Sequence, residues 1–299
     1  MSNIQRISPT MLSTLESDEV AWIRTYIYGE REPQNEAMAA GSAFDAFIKW
    51  HLHGQSVATQ EAISALIEDK VLWGVSEENT DYGRRIGRYL FDEYVKLHGV
   101  EFLKEEIGQA QVFMEETVQG IMTYKGHAVP IGGKPDLFWH KEQGGGLVPC
   151  IRDWKVSQIK KDKPTIVKGY HRLCLPAAGV SVPRVAEVTD IPNVYHHKEI
   201  VRDLPSILPR ESTQLCMYAW LCGVPVGEPI DGGIDRLVGM PLRLVTYRGV
   251  IGVAFQQQLA ERLILAWDRI RELLAAQAEF DNPIMRCLSA VQAQQPWRG

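Results

Sequence analysis

Two short acidic segments on either side of a glycine run constrain the fold of this chain more than any other feature. Asp136 ends the segment Gly133-Lys134-Pro135-Asp136, and Asp153 opens the segment Asp153-Trp154-Lys155. Between them, aromatic and β-branched residues flank Gly144-Gly145-Gly146, a pattern typical of two strands joined by a turn. The pattern predicts a hairpin that brings Asp136 close to Asp153. Lys155 should share the face of Asp153, because side chains alternate along a strand.

Two carboxylates and a lysine at one point suit a divalent cation and a phosphodiester. Hard cations such as Mg²⁺ take oxygen ligands, usually one or two carboxylates with water and substrate phosphate. Such an ion lowers the pKa of water and clamps phosphate oxygens, while a lysine adds positive charge where the transition state is most negative. We therefore predict Asp136, Asp153 and Lys155 as catalytic residues and the two aspartates as metal ligands. Solvated hairpin carboxylates are the alternative interpretation.

The order of the motifs resembles the PD-(D/E)XK nuclease superfamily, with Pro135-Asp136 and Asp153-Trp154-Lys155 as the two halves of its signature. Gly41-Ser42-Ala43-Phe44-Asp45 stands where RecB-like members carry a glycine followed four residues later by a histidine. Gln214-Leu215-Cys216-Met217-Tyr218 matches the Gln-x-x-x-Tyr helix of that branch, and Ser8-Pro9-Thr10-Met11-Leu12 resembles its helix start. These motifs span roughly residues 8 to 220, and they imply a phage-type, RecB-like exonuclease.

The resemblance also implies roles for residues outside the two acidic segments. It adds the main-chain carbonyl of Trp154 to the metal ligands and places Gln214 and Tyr218 beside the active site as substrate-binding residues. Asp45 replaces the family histidine, and because an aspartate oxygen suits Mg²⁺ or Mn²⁺, we predict it as a further metal ligand. One alternative is that Asp45 faces solvent, with His51 or His53 as the ligand in its place. For the second helix, the alternative is that Tyr218 belongs to the core and Gln214 has no role in the site.

A local excess of basic residues follows the second acidic segment. The chain has a net charge of −5, yet residues 152–172 contain seven basic and two acidic side chains. We predict that Lys160, Lys161 and Lys163 contact the DNA backbone. A solvated lysine-rich loop is the alternative.

The remaining pattern predicts one α/β domain over residues 1–299, with a restriction-endonuclease-like core in which helices flank a central mixed β-sheet. Helical segments are expected near the N-terminus, over 38–52 and in an insert at 61–107 with breaks around 74 and 81–83. Before the Gln-x-x-x-Tyr helix, the proline-rich residues 157–210 predict a long irregular insert or flap. Residues 231–235 predict a turn, 237–247 a strand and 252–280 a long amphipathic helix.

The resemblance implies a Mg²⁺-dependent deoxyribonuclease, with Mn²⁺ able to substitute, that hydrolyses DNA at its ends in recombination or repair. A structure- or sequence-dependent endonuclease, a catalytically silent DNA-binding or assembly protein, and an enzyme that acts on RNA are the alternatives. No helicase motif occurs, so a helicase, recombinase or single-strand-binding partner would be a separate chain. The sequence does not decide whether the protein forms a homo-oligomer. No apolar run reaches the length of a membrane span, which predicts a cytoplasmic protein.

Overall fold

The computed structural model describes residues 4–30, 35–52, 77–114, 117–157, 184–188, 194–199, 209–238 and 242–281. Its α-helices, numbered in chain order, are α1 Pro9–Ser17, α2 Glu19–Trp22, α3 Glu36–Leu52, α4 Glu77–Lys96, α5 Gly99–Ile107, α6 Pro209–Leu221 and α7 Val253–Asp281, and a π-helical turn, Ile23–Ile27, continues α2. Its strands are β1 Val112–Phe113, β2 Val118–Tyr124, β3 His127–Gly133, β4 Leu137–Gln143, β5 Gly146–Ser157, β6 Arg184–Val188, β7 Val194–Glu199, β8 Ile230–Val238 and β9 Arg243–Ile251.

Seven strands form one mixed sheet in the order β1-β4-β5-β8-β9-β7-β6. The pairs β5–β8 and β7–β9 are parallel, and the other neighbours are antiparallel. Strands β2 and β3 make a separate antiparallel pair. The predicted α/β architecture with a central mixed sheet flanked by helices is confirmed.

The predicted hairpin is strands β4 and β5. Leu137 pairs with Arg152 at one end, and Gln143 pairs with Gly146 at the turn. Gly144 and Gly145 have φ angles of 61° and 82°, a conformation that side-chain-bearing residues rarely adopt, so the turn depends on glycine. The tight turn fixes the register, and the register places Asp136 opposite Asp153.

Two hydrophobic clusters cover the two faces of the main sheet. One cluster contains residues of α1, α6, α7 and the β2–β3 pair, together with Phe138 and Ile151 of the hairpin. The other contains residues of α3, α4 and α5, together with Trp139 and Trp154. Alternation along β5 therefore directs Trp154 toward α3, and Asp153 and Lys155 toward the α6 side.

Three details of the sequence prediction were wrong. No break occurs at 81–83, because α4 is continuous from Glu77 to Lys96. Residues 231–235 form part of the central strand β8 rather than a turn. The strand predicted over 237–247 is the end of β8 and most of β9, which pair antiparallel.

The insert before α6 also differs from the prediction of irregular chain. Strands β6 and β7 lie within 157–210, and β7 extends the main sheet beside β9. No proline falls within either strand, so neither strand loses a ladder hydrogen bond to one. The remainder of this insert, and residues 53–76 of the helical region, lie outside the described residues. Among the described helices, none is long and apolar enough to cross a membrane.

Candidate active site

Strand β5 extends beyond the first residue of its neighbour β4, and the candidate site lies at this unpaired end of the hairpin. Pairing with β4 ends at Arg152, whereas pairing with β8 continues through Asp153, Trp154 and Lys155 to Ser157. No residue of β4 therefore covers the Asp153-Trp154-Lys155 segment, and Asp136, the residue before β4, lies beside it. Helices α3 and α6 approach this opening from the two faces of the sheet.

Asp136, Asp153 and Lys155 converge as the sequence predicted. The Lys155 Nζ lies 2.5 Å from Asp153 Oδ2, and the two carboxyl groups are in hydrogen-bonding contact with each other. Burial, together with the charge of Asp136, raises the pKa of Asp153 well above its usual value. Burial opposes ionisation of Asp136 as well, but its contacts with Asp153, Lys49 and Lys155 leave its pKa lowered. Without a bound cation the two carboxyl groups therefore do not ionise together readily, although a cationic lysine lies beside them.

The Asp153 carboxylate fits a hard divalent cation. Its side chain is 1% exposed, and neither oxygen accepts a hydrogen bond from the protein, although Lys155 Nζ forms an ion pair with Oδ2. Burying a carboxylate without donors costs several kcal/mol unless a cation compensates it. With Asp136 alongside, the donors are the oxygen ligands that Mg²⁺ and Mn²⁺ prefer. No set of three His, Cys, Asp or Glu side chains in the described ranges converges as a metal site, so within these ranges main-chain, water or substrate oxygens would complete the ligands.

Asp45 joins the cluster from helix α3, and its partners are already protein groups. The Lys49 Nζ donates to the Asp45 carboxylate at 2.7 Å and to Asp136 Oδ1 at 2.8 Å. The Trp154 indole Nε1 donates to Asp45 Oδ1 at 2.6 Å. Burial and the nearby Asp136 charge raise the pKa of Asp45 to about 6. The predicted ligand is therefore near the metal candidates, held between a lysine and an indole.

Gln214 and Tyr218 approach the site from helix α6, one turn apart. Lys155 Nζ donates to Gln214 Oε1, and Gln214 Nε2 donates to the Tyr218 hydroxyl, both at 3.3 Å. Gly133 makes room for this chain of contacts, because a Cβ on it would lie 2.4 Å from Tyr218 Cε1. Gln214 thus contacts Lys155, and Tyr218 contacts Gln214, within the protein. Their predicted binding of substrate stays a prediction, and Lys160, Lys161 and Lys163 lie outside the described residues.

Sequence reasoning missed Lys49 and Glu211. Lys49 follows Asp45 by one helical turn and is the one charged side chain among the buried residues of α3, and this Asp-x-x-x-Lys spacing was the available signal. Glu211 precedes Gln214 by three residues on α6, forms a buried ion pair with Arg236, and adds negative charge near Lys155. For Glu211 the only signal in the sequence was a single acidic residue in the first turn of a helix, which is as weak as the signal for Lys49.

A second group of buried charges supports the hairpin from the α5 side. Glu106 accepts from Arg152 Nε at 2.9 Å and from Arg248 Nε at 2.6 Å. Arg248 also pairs with Asp235 at 2.7 Å, and the Tyr94 hydroxyl donates to Asp235 at 2.5 Å. This network ties β5, β8 and β9 to α4 and α5, and so fixes the strand from which Asp153 projects.

A match to a family model agrees with the geometry. The family model described as the PD-(D/E)XK nuclease superfamily matches residues 6–206. A search of curated proteins found no match. Among solved structures, the crystal structure of SSO0001 aligns over 86% of this chain and 84% of that chain, at 12% identity and a TM-score of 0.27, a likeness that carries no functional weight. The family match covers about two thirds of the sequence, including both acidic segments, and the chain belongs to the PD-(D/E)XK nuclease superfamily.

Proposed function

We propose that this protein is a Mg²⁺-dependent deoxyribonuclease that hydrolyses phosphodiester bonds at DNA ends. The observation that carries the proposal is the buried Asp153 carboxylate, which lies beside Asp136 and accepts no hydrogen bond from the protein. The Lys155 Nζ lies 2.5 Å from Asp153 Oδ2. Nucleases of this superfamily typically use divalent metal ions. Mn²⁺, a similar hard cation, should substitute for Mg²⁺.

In this proposal Asp136 and Asp153 hold the cation, with the main-chain carbonyl of Trp154 as a further ligand. When bound, the ion supplies activation of the attacking water and neutralisation of phosphate charge. Lys155 donates to a non-bridging oxygen of the scissile phosphate or orients the attacking water. Its pKa is raised, because the charges of Asp153 and Asp136 outweigh the effect of burial, so it stays a cation at neutral pH.

The α6 residues hold that lysine in place. Gln214 accepts from Lys155 and donates to Tyr218, so the ammonium is directed before substrate arrives. Such preorganisation lowers the barrier, because the charge need not reorient as the transition state forms. The Gln-x-x-x-Tyr spacing of this helix is also what favours action at DNA ends over internal cleavage, by resemblance to RecB-like exonucleases.

Degradation of end-labelled linear duplex DNA tests the proposal, measured with Mg²⁺, with Mn²⁺ and with EDTA. The Lys155→Ala variant and covalently closed circular DNA are run in parallel. We expect metal-dependent loss of the linear substrate, no loss with Lys155→Ala, and an intact circle. Linearisation of the circle would identify an endonuclease instead. Binding of DNA without cleavage under either metal would identify a silent nuclease fold that serves in DNA binding or assembly.

A further inference from the structure

Lys49 is a buried cation shared by two carboxylates. Its side chain is 2% exposed, and its Nζ lies 2.7 Å from Asp45 and 2.8 Å from Asp136. A buried ammonium is costly to desolvate unless its partners are close and well oriented. Both partners here meet that condition, although they lie on different elements, α3 and the entry to β4.

The Asp45 carboxylate accepts hydrogen bonds from protein donors, whereas the Asp153 carboxylate accepts none. Trp154 Nε1 donates to one of its oxygens at 2.6 Å, and Lys49 donates to the same carboxylate. The indole itself is buried, with the Lys49 Nζ 5.7 Å from its ring centroid. The geometry therefore orients Asp45 toward the ammonium, whereas the Asp153 oxygens have no regular donor.

The charge balance of the cluster favours a single divalent ion. With every group ionised, three carboxylates (Asp45, Asp136 and Asp153) and two ammonium groups (Lys49 and Lys155) leave a formal charge of one negative. One divalent ion turns this into one positive charge, opposite to the single negative charge of a phosphodiester. A second ion would leave a large positive excess in a buried site, which is unfavourable without further anions.

We propose that the Lys49 ammonium is a tethered cation that takes the place of a second divalent ion between Asp45 and Asp136, so that the site binds one metal. This inference rests on the proposed metal-dependent function, and it changes the predicted role of Asp45 from metal ligand to anchor of Lys49. In this arrangement Asp136 contacts both the Lys49 ammonium, which is fixed, and the divalent ion, which exchanges with solvent. The absence of a three-carboxylate metal set in the described part of the chain agrees with this division.

The number of Mn²⁺ ions bound per chain tests the inference directly, measured on the DNA-free protein by electron paramagnetic resonance titration. We expect one Mn²⁺ in the wild type and two in Lys49→Ala, where the freed carboxylates and the vacated space admit a second ion. The double variant Lys49→Ala/Asp45→Asn should return to one. Lys96→Ala is the matched control, because Lys96 forms an exposed helical pair with Glu93 and should leave the count at one.

Two results would overturn the inference while leaving the proposed nuclease intact: two Mn²⁺ ions in the wild type, or one in a folded Lys49→Ala. If Lys49→Ala does not fold, the wild-type count and Asp45→Asn decide. As an anchor, Asp45 is not itself a ligand, so a folded Asp45→Asn should still bind one Mn²⁺, weakened by no more than the roughly 10–100-fold typical of residues that act through a ligand. A folded Asp45→Asn that binds no Mn²⁺ would also overturn the inference. No Mn²⁺ binding by the wild type would overturn both the inference and the proposed metal-dependent function.

Discussion

Lys155 donates to Gln214 across 59 residues of sequence, at 3.3 Å, and this contact joins the acidic hairpin to helix α6. We predict that Gln214→Ala lowers the rate of DNA cleavage about 10- to 100-fold, because a catalytic group released from its geometry loses much of its effect. The measurement is single-turnover cleavage of linear duplex DNA at saturating enzyme. Thermal unfolding of the same variant should stay near that of the wild type.

Tyr218→Phe is the matched control for this contact. It removes the hydroxyl that accepts from Gln214 Nε2 but keeps the ring and the acceptor of Lys155, so we expect a smaller loss than with Gln214→Ala. Equal cleavage by Gln214→Ala and wild type would show that Lys155 needs no support from α6.

The hairpin and the convergence of Asp136, Asp153 and Lys155 followed from the sequence because local rules determine them. A glycine turn sets the register, and alternation along β5 then places Asp153 and Lys155 on one face. The helix expected near the N-terminus followed for the same reason, since the Ser8 side chain accepts from the Met11 amide at the start of α1. Patterns that act within a few residues were sufficient for these elements.

Local sequence rules could not predict which charged residues would be buried. Strand β8 contains Asp231, Asp235 and Arg236, a composition typical of a turn or a surface strand, yet it lies at the centre of the sheet. Its charges are compensated by Arg152, Arg248 and Glu211, which come from distant parts of the chain. Only the tertiary fold brings those partners together, and the same applies to Lys49 and Asp136.

Because α4 packs closely on α3, the sign of the stability change in Gly87→Ala tests the contact between the two helices. A Cβ added at Gly87 would lie 2.5 Å from the Ala43 Cβ and 2.9 Å from the Phe44 amide nitrogen. Helix propensity alone would make Gly87→Ala stabilising by up to about 1 kcal/mol. We expect it instead to lower the free energy of unfolding by about 1–3 kcal/mol, because the two helices must separate. Urea denaturation measures the change.

Gly41→Ala is the matched control for this packing. Gly41 lies within α3, and an added Cβ there would meet nothing within 4 Å, so the substitution should raise the free energy of unfolding by about 0.5–1 kcal/mol. Stabilisation by both substitutions would contradict the close contact between α3 and α4.

The Tyr94 hydroxyl is a buried donor to a buried carboxylate, Asp235. Because hydrogen bonds to charged groups contribute about 1.5–3 kcal/mol, Tyr94→Phe should lower the free energy of unfolding by that amount. Tyr89→Phe on the same helix is the control, since Tyr89 is 41% exposed and its change should stay within about 0.5 kcal/mol. Indistinguishable urea midpoints for the two variants would refute a stabilising role for the Tyr94 contact.

Glu106 should give the protein an acid-dependent stability that a single substitution removes. Burial alone would raise its pKa, but the guanidinium groups of Arg152 and Arg248 lower it from 4.5 to about 2. A carboxyl group with a lowered pKa stabilises the fold above the unfolded value, and that stability is lost as the pH falls from about 4.5 toward 2. The shift corresponds to about 3 kcal/mol.

Urea unfolding of wild type, Glu106→Gln and Glu105→Gln as a function of pH measures this contribution. The difference between wild type and Glu106→Gln should be constant above about pH 5 and should shrink steadily toward about pH 2, because protonated Glu106 and glutamine are both neutral. Glu105 is the exposed neighbour on α5, so Glu105→Gln should follow the wild type throughout. A gap between wild type and Glu106→Gln that persists unchanged to low pH would mean that the two arginines do not hold the carboxylate ionised, and that the network supports β5 through packing alone.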